Sequence, residues 1–293
     1  MNPSSANPQP SGASRFLPDN FDAARPVAVI AGCGLYPQIT VRALRAAGQP
    51  VRLIAFEEET APELIDSFPS DERATILVGQ VGHMLKALRR LGAGSAIMAG
   101  QIRPRRLFHG LHPDLKALAL LATLKERNAA TIFGALAREI EAIGVRLLDA
   151  RAFLDHELAT AGVMTGGRQR VATDTLAFGM RLAREVARLD IGQSIVVSGG
   201  TVIAVEAFEG TDVMLQRAGS LEATDPLFVK TSKPGHDFRF DVPVFGRTTL
   251  AALRDTNIKA AALEAGNTLI LEKDAVLAEA RNAGIQLLGY PAA

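Results

Sequence analysis

Pro26-Val27-Ala28-Val29-Ile30-Ala31-Gly32-Cys33-Gly34-Leu35-Tyr36-Pro37 is the stretch whose reading decides the fold class. The run 26–31 reads as a buried strand, and the glycines after it as a tight turn. A helix is expected from about Gln38 to Ala47, and a second buried strand over Val51–Phe56, ending at Glu57. Strand, glycine turn, helix and strand in this order start a Rossmann-type α/β domain. Gly32 and Gly34 would let backbone amides approach an anion at the helix N-terminus. Pro37 stands where the dinucleotide fingerprint wants its third glycine, so a plain strand-to-helix turn is the competing reading.

The same alternation continues outward. Thr75–Gly79 reads as a strand, Val81–Leu91 as a helix stopped by Gly92, and Ser95–Ala99 as a buried strand. The last runs into Gly100-Gln101-Ile102-Arg103-Pro104-Arg105-Arg106. Loops at strand C-termini line the ligand crevice of open α/β sheets. Gln101 and the arginines can grip phosphate there, or form a solvated basic loop. Leu111–Leu124 is a strongly apolar helix carrying Leu115 and Leu118, which reads as core, a lipid slot or a membrane-facing surface. A helix follows over Thr131–Ile143, then a strand over Val145–Asp149.

Glycines at 162, 166 and 167 place a linker at 156–170. The expected organisation is an N-terminal extension over 1–20, a Rossmann-like domain over 21–155 and a mixed α/β domain over 171–293. In the second domain a helix over Asp174–Asp190 precedes a hairpin, Gln193–Gly200 with Thr201–Phe208. Glu206, Glu209 and Asp212 then crowd one turn, without a spacing diagnostic of any metal.

The densest chemistry lies in Leu221–Thr249, LEATDPLFVKTSKPGHDFRFDVPVFGRTT. Asp225, Lys230, Lys233, His236, Asp237, Arg239 and Asp241 alternate there with apolar residues. Two short strands joined by a Lys-Pro-Gly turn would give this pattern. Acids can hold a divalent cation and cations can hold phosphate, as handling a phosphoanhydride requires. The alternative is a charged hairpin with surface ion pairs, each worth about 0–1 kcal/mol.

Composition sets the frame. The 293 residues are 48% hydrophobic with a net charge of +1. Nothing in that balance, nor in two tyrosines and no tryptophan, favours nucleic-acid binding. One cysteine excludes an internal disulfide and a multi-cysteine zinc site. The first twenty residues are rich in Ser, Asn and Pro and lack the apolar core of a signal peptide. They read as a disordered extension of a cytoplasmic protein.

Several of these stretches together resemble one family. Ile30–Pro37 is similar to its N-terminal glycine turn and Gly100–Pro104 to its second loop. Asp190–Val197 and Val205–Asp212 look like its C-terminal core, and Lys230–Pro243 (KTSKPGHDFRFDVP) like its most distinctive signature. The family is that of the LpxI-type UDP-2,3-diacylglucosamine pyrophosphatases of lipid A biosynthesis. The resemblance implies a Rossmann-like N-terminal domain, a distinct C-terminal domain and a lipid site between them. It implies hydrolysis of UDP-2,3-diacylglucosamine to UMP and 2,3-diacylglucosamine 1-phosphate (lipid X), with a divalent cation, usually Mg²⁺.

The family's essential aspartate is matched to Asp225, in Thr224-Asp225-Pro226. On this reading Asp225 holds metal or water, with Glu209 as a further metal ligand and Asp237 or Asp241 as supporting acids. Lys230, Lys233 and Arg239 neutralise the diphosphate. Gly32, Gly34, Gln101, Arg103, Thr211, Asp212 and His236 contact substrate. His236 stands where the signature more often has Gln, and Arg127-Asn128-Ala129 where the family is often Gly- and Asp-rich. Peripheral contact with the inner membrane is expected, and a homodimer is left open. Two rivals are a non-catalytic lipid-sugar-phosphate binder and a nucleotide-cofactor oxidoreductase resting on Gly32, Gly34 and Glu57.

Overall fold

The computed structural model describes residues 14–102, 112–126 and 129–292. The chain divides into two compact units, Met1–Asp155 and His156–Ala293.

Unit 1 is built on a five-stranded parallel sheet in the order β3-β2-β1-β4-β5. The strands are β1 (Val27–Ala31), β2 (Val51–Phe56), β3 (Arg73–Ile76), β4 (Ser95–Ala99) and β5 (Arg146–Leu147). Every residue of β1 is buried, which is why VAVIA reads as a continuous apolar run rather than an alternation. Helix α1 (Tyr36–Ala46) packs on β1 and β2 through Ile39, Val41 and Leu44, and Pro37 sits in its first turn. Proline is tolerated there because the missing N–H would lack a helical partner anyway. The dinucleotide glycine is therefore replaced by a helix-start residue without loss of the fold.

After α1 come α2 (Pro62–Asp66), α3 (Val81–Arg90) and α4 (Leu115–Ala122). Asp114 caps α4 by accepting from Ala117 N at 2.9 Å and also accepts from Gly82 N at 2.7 Å in α3. Burial alone would raise the Asp114 carboxyl, but these backbone donors and His83 outweigh it, so it is held below the usual range. Helix α5 (Ala129–Ala142) follows. Residues 14–20 carry contacts despite the expected disorder of 1–20. Ser14 is buried, and the guanidinium of Arg151 lies 4.2 Å from the Phe16 ring centre.

Unit 2 has a six-stranded mixed sheet in the order β6-β13-β11-β9-β7-β8 and a two-stranded parallel ribbon, β10-β12. The strands are β6 (Gly162–Val163), β7 (Ser194–Ser198), β8 (Thr201–Val205), β9 (Leu227–Lys230), β10 (Val244–Phe245), β11 (Ala260–Glu264), β12 (Leu269–Ile270) and β13 (Gln286–Tyr290). β9, β11 and β13 run parallel, and β7 is antiparallel to β9. Side chains alternate across the sheet. Leu227 and Val229 pack with Leu176 and Met180 of α6 (Thr173–Arg188). Phe228 faces the other way, with Met214 of α7 (Thr211–Gly219), Leu253 of α8 (Arg247–Arg254) and Val276 of α9 (Lys273–Asn282).

Two expectations change here. Residues 156–170 are not a free linker: β6 pairs with β13, and Ala159 N donates to Thr268 O at 2.9 Å. The segment Leu221–Thr249 is not a hairpin. Its first apolar run is the interior strand β9, while Val244–Phe245 pairs with β12 in the separate ribbon. Between them Pro234, Pro243 and two turns, His236 N to Lys233 O and Phe240 N to Asp237 O, break any ladder.

Candidate active site

β9 and β11 end side by side, so the loop after β9 leaves from the carboxyl edge of the parallel strands, where α/β sheets gather ligand-binding residues. The register lines up one row at this edge. Lys230 lies opposite Ser194 of β7 and beside Leu263 of β11, with Glu264 next. Glu206, just past β8, donates its N–H to Ser194 O at 2.9 Å.

Lys230 is the central feature. It is 6% exposed, and its Nζ donates to Thr211 Oγ1 at 3.1 Å. Among the described residues it forms no ion pair. An ammonium has three donors, and a buried charge is costly unless it is paired. An anion arriving at this edge would supply what the fold leaves out.

The loop 231–243 is fastened at its root by buried Glu264. This carboxylate accepts from Thr231 Oγ1 at 3.0 Å, Ser232 N at 3.0 Å and Ser232 Oγ at 2.7 Å, and pairs with Arg184 at 3.1 Å. Burial pushes its pKa up, but the bonds from Ser232, Thr231 and Asn267 outweigh that, so the net shift is downward. Further along, Lys233 pairs with Asp190 at 2.7 Å. The His236 ring is nearly buried, with Nε2 2.8 Å from the Asp241 carbonyl oxygen. Gln193 Nε2 donates to Asp241 Oδ2 at 2.6 Å. Arg239 grips Asp237 through two parallel bonds of 2.9 and 2.8 Å. That hydrogen bond is the main reason the Asp237 carboxyl is held below the usual range. Asp237 is thus a charge partner for Arg239 and a poor proton acceptor, whereas Asp241 is exposed and held on one oxygen only.

The structure brings Lys230, Lys233, His236, Asp237, Arg239, Asp241 and Thr211 to this one edge. It does not bring Asp225. Asp225 precedes β9 and is exposed at φ +46°, and its neighbour Thr224 accepts from Ser198 Oγ at the β7–β8 turn. Glu209, expected to share a metal with Asp225, lies beyond the other end of β8 and pairs with Arg217 at 2.9 Å. Among the described residues no group of three or more His, Cys, Asp or Glu is arranged to hold a metal ion. Asp212 sits in the first turn of α7, its Oδ1 3.5 Å from Thr249 Oγ1.

In unit 1, Gly32 gives its N–H to Ala99 O at 2.8 Å, so that amide is not free for phosphate. Cys33 and Gln101 form an isolated bridge that ties the loops after β1 and β4 together. Gly34 keeps φ +90° with open space around it. Arg103, with Arg105, Arg106, Leu111, Arg127 and Asn128, lies outside the described residues, as do residues 1–13.

Sequence reading missed Glu264, Ser194 and Gln193 as parts of this edge, and saw Glu206 only as one acid of a turn. Their roles come from strand register, and no local motif marks them.

Two family models cover this architecture: the LpxI N-terminal domain matches residues 26–157, and the LpxI C-terminal domain matches residues 160–288. The chain belongs to the LpxI family. A UDP-2,3-diacylglucosamine pyrophosphatase LpxI from Caulobacter vibrioides is 30% identical over 279 residues, covering 90% of this chain and 97% of that protein. The two-domain LpxI architecture thus coincides with the two units seen here, a Rossmann-like parallel sheet and a mixed α/β sheet.

Proposed function

We propose that this protein hydrolyses the pyrophosphate bond of UDP-2,3-diacylglucosamine, giving UMP and 2,3-diacylglucosamine 1-phosphate in lipid A biosynthesis. The observation that carries the proposal is Lys230, a buried cation with no ion pair among the described residues, at the carboxyl edge of the parallel strands β9 and β11. The name of the Caulobacter relative supplies the substrate. Phosphoryl transfer asks the protein for positioning and charge neutralisation more than covalent chemistry. Lys230 meets the diphosphate, and Lys233 and Arg239 add positive charge from the loop. Asp241, with one oxygen held by Gln193, orients the attacking water.

Dependence on a divalent cation is part of this proposal. Mg²⁺ often binds through one or two carboxylates plus substrate phosphates, so a preformed cage is not required. Peripheral membrane contact is proposed as well, since Leu115 is 86% and Leu118 50% exposed on α4. No described helix is long and apolar enough to cross a membrane.

The test is UMP release from UDP-2,3-diacylglucosamine by the purified protein, with added Mg²⁺ and with EDTA. Release that EDTA abolishes and Mg²⁺ restores is expected. No release under either condition would leave a lipid-sugar-phosphate binder in its place.

A further inference from the structure

We propose that Glu206 is a positioning residue for Lys230 and acts through the hydroxyl of Thr211. This rests on the reading of Lys230 as the partner of the substrate diphosphate. Glu206 Oε1 takes the Thr211 hydroxyl at 2.6 Å, and Oε2 takes the Ser194 hydroxyl at 2.5 Å. An ionised carboxylate only accepts, so both hydroxyls must donate to it. Thr211 has then spent its proton and presents only lone pairs. Lys230 Nζ, 3.1 Å away, donates into them. The hydroxyl is thereby fixed in one sense, and two ammonium protons remain for a ligand. Thr211 is expected to aim Lys230 and not to donate to the substrate itself.

The backbone supports this arrangement at three points. Ser194 is fully buried and faces Lys230 across the β7–β9 pair. Thr211 opens α7 directly after Gly210, which holds φ +83°, and a carboxylate near a helix N-terminus is favoured by the helix dipole. Gly192 allows the turn before β7 to close on Glu206: a Cβ there would lie 2.1 Å from Glu206 O. Glu206, Ser194 and Thr211 are thus held by three separate elements around one carboxylate.

A double-mutant cycle tests it, with kcat and KM measured on UDP-2,3-diacylglucosamine and inorganic pyrophosphate binding measured by calorimetry. Thr211→Val should lower kcat/KM by roughly 10- to 100-fold, while Thr211→Ser stays within about threefold. Glu206→Gln should cost roughly tenfold alone but less than about twofold in the Thr211→Val background, because coupled residues are not additive. Full additivity would overturn the proposal, as would wild-type kinetics in both single variants. If Glu206→Gln fails to fold, the contrast between Thr211→Val and Thr211→Ser carries the test, and equal kinetics for those two would overturn it. An inactive wild type whose pyrophosphate affinity still falls on Thr211→Val would overturn the pyrophosphatase reading and leave the positioning role standing.

Discussion

Asp225 and Lys230 bracket the same strand from opposite ends: one lies before the first residue of β9, and the other is its last residue. Five steps at about 3.3 Å each put their backbones ~16 Å apart. A lysine side chain cannot close that gap toward a carboxylate serving the same phosphorus. Asp225 also holds φ +46°, a conformation that costs non-glycine residues roughly 1–2 kcal/mol. Asp225→Gly relieves that strain without touching the carboxyl edge. Its kcat/KM on UDP-2,3-diacylglucosamine should stay within about threefold of wild type. A loss of orders of magnitude would place Asp225 in the mechanism, as the family resemblance implies.

Lys230→Met separates stability from activity. The ammonium is buried with no ion pair among the described residues, so replacing it with an apolar chain of similar length should be neutral or stabilising in thermal melts. Losing a donor aimed at charge that develops in the transition state costs roughly 10²–10³ in kcat. A folded, equally stable and fully active variant would show that Lys230 does not meet the diphosphate.

The fold was largely legible because its strands are unusually plain. VAVIA, VRLIAF and SAIMA are short, largely apolar runs, each entered from a proline or a glycine, and the parallel sheet of unit 1 follows from them. The charged stretch after Lys230 was legible as chemistry but not as shape. Leu227–Val229 looks the same as one arm of a hairpin or as a strand buried on both faces, and only its partners β7 and β11 decide. Glu264 shows the deeper limit. It is distant in sequence from the loop it fastens, and nothing beside it marks a partner at Ser232. Asp225 was placed by likeness to a motif, and register sets it at the opposite end of β9 from Lys230.

Glu264 makes an acid-labile root for the loop 231–243. Its folded pKa is held below the ordinary glutamate range by donors that favour the charged form and outweigh its burial. A depressed carboxylate contributes stability above its unfolded pKa and loses it as pH falls through the folded one. Acid unfolding of wild type should therefore steepen below about pH 4.5. Glu264→Gln should be less stable at pH 7 by about 2–4 kcal/mol, because Arg184 loses its charge partner. The gap between variant and wild type should narrow on acidification. Urea melts across pH 3–7 read this directly, and a constant gap would remove Glu264 from the acid response.

Gly32 and Gly34 should fail in different ways when substituted. A Cβ on Gly32 would lie 2.3 Å from Gln101 O, inside the bridge that joins the loops after β1 and β4. Gly34 meets nothing within 4 Å, and its only constraint is φ +90°. Gly32→Ala must push one backbone off another, at a cost of about 3 kcal/mol or more. Gly34→Ala pays only the conformational penalty, about 1–2 kcal/mol. Denaturant melts should rank Gly32→Ala well below Gly34→Ala, which lies modestly below wild type. If Gly32→Ala melts like wild type but loses activity, the glycine serves a ligand and the packing argument fails.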